Sequence, residues 1–146
     1  MDKQLIAMER VFQALGDKTR LRILGLLLTG EVCVCHIHES LGVSQPKASR
    51  HLAYLRRAGI VQTRREGLWV YYRLAESNDR LLRTIRDVVA HTLGHLTAVR
   101  RDAARLQTKN GCCLPASAPA PGLTCCDSAS ADCVPGSAGR SARSAM

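Results

Sequence analysis

The sequence predicts a mainly α-helical domain with a β-hairpin wing, a winged helix-turn-helix. Three observations predict it. Two short apolar-striped helices flank Leu41-Gly42-Val43-Ser44, which is helix-turn-helix spacing. Two strands, the second alternating, then flank Glu66-Gly67, which suits a tight turn. A long helical stripe closes the pattern, and the whole chain carries a net charge of +9.

The first helix is expected from about Lys3 to Leu15, with Leu5, Ile6, Met8, Phe12 and Leu15 apolar. Gly16 closes it, and Asp17 is a good N-cap for the next helix. That second helix, Lys18 to Thr29, places Leu21, Leu24 and Leu28 on one face. A third helix falls within about Cys33 to Leu41, with Gly42 as its stop. Ser44 caps the fourth, and Pro46 fits its first turn, where a missing N–H costs little. Ala48, Leu52 and Leu55 form its buried row before Gly59 ends it.

The ribbon follows as Ile60 to Arg65 and Leu68 to Leu74, with Val70, Tyr72 and Leu74 alternating with Trp69, Tyr71 and Arg73. The last helix is expected from about Asn78 to Gln107. Leu81, Ile85, Val88, Thr92, Val99 and Ala103 form one row; Leu82, Val89, Leu93 and Leu96 form the next. Such a helix spans roughly 40 Å at 1.5 Å per residue, more than one small domain covers. The excess stripe predicts a homodimer through the terminal helices.

Composition bounds the rest. Low aromatic content, 3%, implies a core of Leu, Val, Ile and Ala. The positive charge favours a polyanionic partner. No apolar run approaches the roughly 18–20 residues of a membrane span. Charged residues interrupt the first twelve positions, so an export signal is not expected and the chain reads as cytoplasmic. In a reducing compartment seven cysteines read as metal ligands or redox groups rather than as a disulfide framework. Composition changes near Asn110 to Ala, Ser, Pro, Gly and Cys, which cannot bury enough surface to order. The expected organisation is a folded unit over 1–109 and a flexible Cys-containing tail over 110–146.

Between Ser44 and Arg73 lie Lys47, Arg50, Arg56, Arg57, Arg64, Arg65 and Arg73, opposed only by Glu66. On the fourth helix Lys47, Arg50, Tyr54 and Arg57 recur opposite the buried row, with Gln45 and Ser49 beside them. Recognition helices read base edges with their N-terminal residues. Gln pairs with adenine and Arg with guanine, while Ser and Lys serve phosphates or bases. Arg64 and Arg65 sit near the ribbon tip, placed for the flanking minor groove or backbone. A solvated basic face is the bland alternative, and the helix-turn-helix spacing with the ribbon argues against it.

The stretches Leu15-Gly16-Asp17-Lys18-Thr19-Arg20-Leu21-Arg22-Ile23-Leu24, Ser44-Gln45-Pro46-Lys47-Ala48-Ser49-Arg50-His51-Leu52 and Gly67-Leu68-Trp69-Val70-Tyr71-Tyr72-Arg73-Leu74 resemble the ArsR/SmtB winged-helix repressors. The resemblance covers about residues 5–107. It implies a homodimer on double-stranded operator DNA with an imperfect inverted repeat, blocking transcription until an inducer releases it. It also implies DNA contacts from Ser44, Gln45, Ser49 and Arg50, with His51 bracing the helix.

Glu31-Val32-Cys33-Val34-Cys35-His36-Ile37-His38 is similar to the Glu-Leu-Cys-Val-Cys-Asp-Leu-Cys segment of the arsenic-responsive branch. The resemblance makes Cys33 and Cys35 ligands for trivalent arsenic or antimony as inducer. His38 stands where that pattern has a third cysteine, and a soft metalloid prefers thiolate to imidazole. Either a methylated arsenical needs only two thiols, or a third comes from elsewhere. The tail offers Cys112-Cys113, Cys125-Cys126 and Cys133, of which Cys112 and Cys113 are the candidates. Residues at i and i+2 point to different sides of a helix, so joint binding through Cys33 and Cys35 is expected to unwind the third helix's first turn. A helix N-terminus also favours thiolate.

Alternatives remain open from sequence. Buried structural cysteines are the bland reading of Cys33 and Cys35. Cadmium, lead or zinc would suit the same fold, as would thiol redox sensing. Asp87, His91 and His95, spaced i, i+4, i+8, read as a polar helix-seam patch rather than a metal site. No Gly/Ser/Arg-rich anion loop follows Cys33 or Cys35, so a reductase, or any enzyme, is not expected.

Overall fold

In the computed structural model, which describes residues 2–108, α1 (Lys3–Leu15) opens the fold with the carboxylate of Asp2 accepting from the Gln4 amide. α2 (Lys18–Leu27) begins where Asp17 accepts from the Arg20 amide at 3.0 Å. It stops two residues before Thr29, the expected end. α2 is the hub: Ile23, Leu24, Gly25, Leu26 and Leu27 are all buried, so it is covered nearly all round rather than along one stripe.

β1 (Val32–Cys33) and α3 (Val34–Leu41) come next, followed by α4 (Gln45–Arg57). Gly42 closes α3 in the left-handed region (φ 68°), which a residue with a Cβ adopts only at a cost. Ala48, Leu52 and Leu55 bury the expected row of α4. Ser44 stands at the N-cap position, but its hydroxyl makes no capping bond. Pro46 in the first turn removes one of the amides that such a cap would serve.

β2 (Val61–Glu66) and β3 (Trp69–Leu74) form the wing, with Glu66 opposite Trp69. The two-residue turn is therefore Gly67-Leu68, one position later than expected, with Gly67 at φ 59°. β1 adds a third antiparallel strand on the other side of β3, pairing Val32 with Tyr72 and Cys33 with Tyr71. This strand was not expected. Two residues are too few to show alternation, and Cys33 was expected at the start of the third helix.

The expected last helix is two helices, α5 (Arg80–Leu93) and α6 (Thr97–Thr108). Gly94 contributes no side chain to hold the helix on, and tertiary contacts reward folding back. Val99 packs so close to Gly25 of α2 that a Cβ there would lie 2.4 Å from a Val99 methyl. Buried Asp102 takes two hydrogen bonds from Arg22, each 2.7 Å. The premise of an over-long stripe thus fails, because Val99 and Leu106 are buried within this chain. His95 lies beyond α5, so Asp87, His91 and His95 do not form one helical face, although the two rings sit 6.2 Å apart edge to face. Among the described residues no helix is long and apolar enough to cross a membrane. The expected boundary near residue 110, and Cys112, Cys113, Cys125, Cys126 and Cys133, lie outside the described residues.

Candidate DNA face and thiol site

α4 presents Lys47 and Arg50 to solvent, with Gln45 and Ser49 half-buried beside them and Ser44 exposed at its start. The fold thus gathers Ser44, Gln45, Lys47, Ser49 and Arg50 at one end of α4. Tyr54, on the same expected face, is exposed but already engaged within the chain. Its ring lies 4.5 Å under the Arg20 guanidinium, and its hydroxyl donates to Gln13 Oε1 at 3.2 Å. It anchors α4 to α1 and α2.

His51 lies on the inner flank, with Nδ1 3.6 Å from the Asp17 carboxylate. Burial lowers its pKa; Asp17 opposes this and Arg20, Lys47 and Arg50 reinforce it. The Asp17 carboxyl is held below its ordinary value, chiefly by the Arg20 amide. The start of α2 and the middle of α4 are therefore joined through these two side chains.

The two wing arginines differ. Arg65 is exposed. Arg64 donates from Nε to Glu31 Oε1 at 2.9 Å and from Nη1 to Glu66 Oε2 at 2.5 Å, with its guanidinium 4.8 Å over the Tyr71 ring. Sequence spacing placed both near the tip, but one of the two carboxylates that hold Arg64, Glu31, comes from a segment 33 residues away. Nothing local signals that.

Cys33 and Cys35 are buried, 1% and 0% exposed, and their sulfurs lie 2.9 Å apart. This corrects the expectation that sharing one ion must unwind the helix. Cys33 is not in the helix: at φ −70°, ψ 147° it ends β1 and stands at the N-cap of α3, while Cys35 occupies the first turn. An extended residue followed by a helical turn brings i and i+2 side chains together. The N-cap position also places Cys33 where the helix dipole favours negative charge.

His38 Nδ1 lies 3.2 Å from the Val43 carbonyl in the turn of the helix-turn-helix. A carbonyl only accepts, so Nδ1 carries the proton and the ring serves as a brace of that turn. Among the described residues no three His, Cys, Asp or Glu side chains gather as a metal-holding group. The structure brings together two thiols.

The profile of "Bacterial regulatory protein, arsR family" matches residues 17–63. The arsenic resistance transcriptional regulator ArsR1 of Pseudomonas putida is 51% identical over 73 residues, 49% of this chain and 57% of that protein. The match thus spans a little over half the length of that relative. An uncharacterised helix-turn-helix transcriptional regulator of Methanocaldococcus jannaschii is 46% identical over 77 residues, 52% of this chain and 84% of its own length. Among solved structures, the homodimeric winged helix-turn-helix DNA-binding domain of a possible ArsR-family regulator from Mycobacterium bovis aligns with a TM-score of 0.52. It shows 37% identity and covers 64% of this chain and 88% of that one.

Proposed function

Because the chain belongs to the arsR family of bacterial regulatory proteins, we propose that it is a cytoplasmic, homodimeric repressor that leaves operator DNA on binding trivalent arsenic or antimony at Cys33 and Cys35. The observation that carries this reading is the 2.9 Å separation of the two sulfurs at the junction of wing and helix-turn-helix. A soft, thiophilic centre suits a pair of sulfurs this close, whereas a zinc site wants four ligands. Both sulfurs are buried, so the inducer enters by local opening of this short segment.

On DNA, the N-terminal end of α4 enters the major groove. Gln45 and Arg50 read base edges, Ser44, Lys47 and Ser49 serve phosphates or bases, and Arg65, with Arg64 behind it, reaches the backbone flanking the site. Inducer at Cys33 and Cys35 acts on β1, which pairs with the wing, and on α3, which ends at the turn into α4. The third donor to inorganic arsenite is a thiol of the Cys112-Cys113 pair, and a methylated arsenical does without it.

The test is operator release titrated with arsenite, antimonite, methylarsenite, cadmium and zinc. Release by the first three, lost in a Cys33→Ser, Cys35→Ser protein, is the expected result; release that survives both substitutions would rule out the thiol trigger. Cys112→Ser with Cys113→Ser should weaken the response to arsenite and spare that to methylarsenite. The same sulfur proximity favours one second reading, oxidation of the pair, and release by peroxide without metalloid would select it.

A further inference from the structure

Glu31, Arg64, Tyr71 and the thiol pair form one connected unit that neither DNA contact nor inducer ligation explains. Arg64 lies in β2 opposite Tyr71 of β3, and its guanidinium covers the Tyr71 ring. Its Nε donates to Glu31, two residues before Cys33. Cys33 in turn pairs through its backbone with Tyr71. The sensing segment is thus held to the wing twice around the same tyrosine, once by the β1–β3 ladder and once by the guanidinium.

We propose that Arg64 is a latch between the thiol pair and the wing, and that an occupied Cys33–Cys35 pair releases DNA by freeing the wing. The inference rests on the reading of these cysteines as inducer ligands. Arg64 is poorly placed to be chiefly a phosphate contact, because two carboxylates already balance its charge. Its planar fork suits this grip: two edges take carboxylates while the face lies on the ring.

The latch is also easily opened. Ion pairs near the surface contribute little to stability, and β1 is held to β3 over only two residue pairs. Arsenite exchanges two As–OH bonds for two As–S bonds, each hydroxide leaving as water with a thiol proton, and seating the arsenic between the sulfurs shifts the Cys33 backbone. That shift carries Glu31 away from Arg64, frees the guanidinium from Tyr71 and lets the wing leave the orientation in which Arg65 faces DNA. The recognition helix need not distort.

The chain reports on this itself, because its single tryptophan, Trp69, lies at the wing tip opposite Glu66. The experiment titrates arsenite into the full chain without DNA. It follows thiolate–arsenic absorbance for occupancy and Trp69 emission for the wing, in wild type, Glu31→Gln and Arg64→Lys. Wild-type emission should shift in step with occupancy. Both variants should bind arsenite normally yet show a reduced emission shift, and should bind operator about two- to fivefold more weakly before induction. Arsenite absorbance that rises while Trp69 emission stays constant overturns the latch and leaves the thiol reading intact. Variants that couple like wild type also overturn it. If no thiolate–arsenic absorbance develops, the thiol reading fails and the latch fails with it.

Discussion

Asp102 is a carboxylate of α6 only 1% exposed, and the Arg22 guanidinium binds both of its oxygens. Arg22 meets it with two 2.7 Å hydrogen bonds and uses Nη2 again on the Leu41 carbonyl, 3.2 Å away. Arg105, one turn on, donates to the Ser40 carbonyl at 3.3 Å. These two arginines satisfy carbonyls at the C-terminal end of α3, where a helix leaves acceptors without intrahelical donors. The pair therefore fixes the position of the helix-turn-helix turn relative to α2 and α6. Asp102→Asn removes the charge while keeping the shape, and should lower stability by about 1.5–3 kcal/mol, the scale of hydrogen bonds to charged groups. Arg22 retains access to water, which keeps the loss below that of a fully enclosed pair. Urea denaturation measures it, and an unchanged midpoint would mean that the pair is incidental. Counting apolar positions along the last helix passes over Asp102, because its partner lies 80 residues earlier.

At the scale of elements, what was legible in the sequence is what local chemistry decides. Asp17 caps α2, Gly42 closes α3 with a positive φ, Pro46 sits in the first turn of α4, and Ala48, Leu52 and Leu55 turn inward. The misreadings share one cause, a long-range contact overriding a local pattern. Val32 and Cys33 become a strand because Tyr71 and Tyr72 offer a ladder, and that alone brings Cys33 beside Cys35. The apolar rows continue past Gly94 in sequence, yet the chain turns because α6 finds a groove on α2 at Gly25. The thiol pair was legible as residue types and spacing, but its convergence was not. Gly25 is the point where this packing is tightest. In Gly25→Ala the new methyl meets Val99 Cγ1 at 2.4 Å, and the interior of α2 gives it nowhere to move. Overpacking of this kind costs about 1–3 kcal/mol even though alanine is the better helix former. A lower urea midpoint in Gly25→Ala, largely restored by adding Val99→Ala, is the expected result. A more stable Gly25→Ala would show that helix propensity outweighs the contact.

For the whole molecule, the folding back of α6 changes where a partner chain has to sit. Val99 and Leu106 of α6 are used internally, and among the described residues large apolar side chains on α1 and α5 stand uncovered: Leu5 is 62% exposed, Phe12 56% and Val88 55%, with Met8 in the same row of α1. Leu5, Met8 and Phe12 recur at i, i+3 and i+7, one continuous stripe that no element among the described residues covers. A second copy is the occupant most consistent with a homodimeric structural relative and with the two-fold symmetry that most homo-oligomers adopt. On the proposed homodimer two α4 helices would share one duplex, each with its own basic end, and their linkage would raise affinity beyond that of either alone. Phe12→Glu puts a charge on the stripe and should halve the mass in sedimentation. Operator affinity should fall by more than tenfold while the salt dependence of what binding remains becomes shallower, because fewer phosphates are neutralised per complex. Arsenite binding separates this from misfolding. Cys33 and Cys35 lie within one chain, so thiolate–arsenic absorbance should develop in the monomer as in the dimer. A Phe12→Glu protein that sediments as a dimer would remove α1 from the interface and leave the exposed face of α5 to form it.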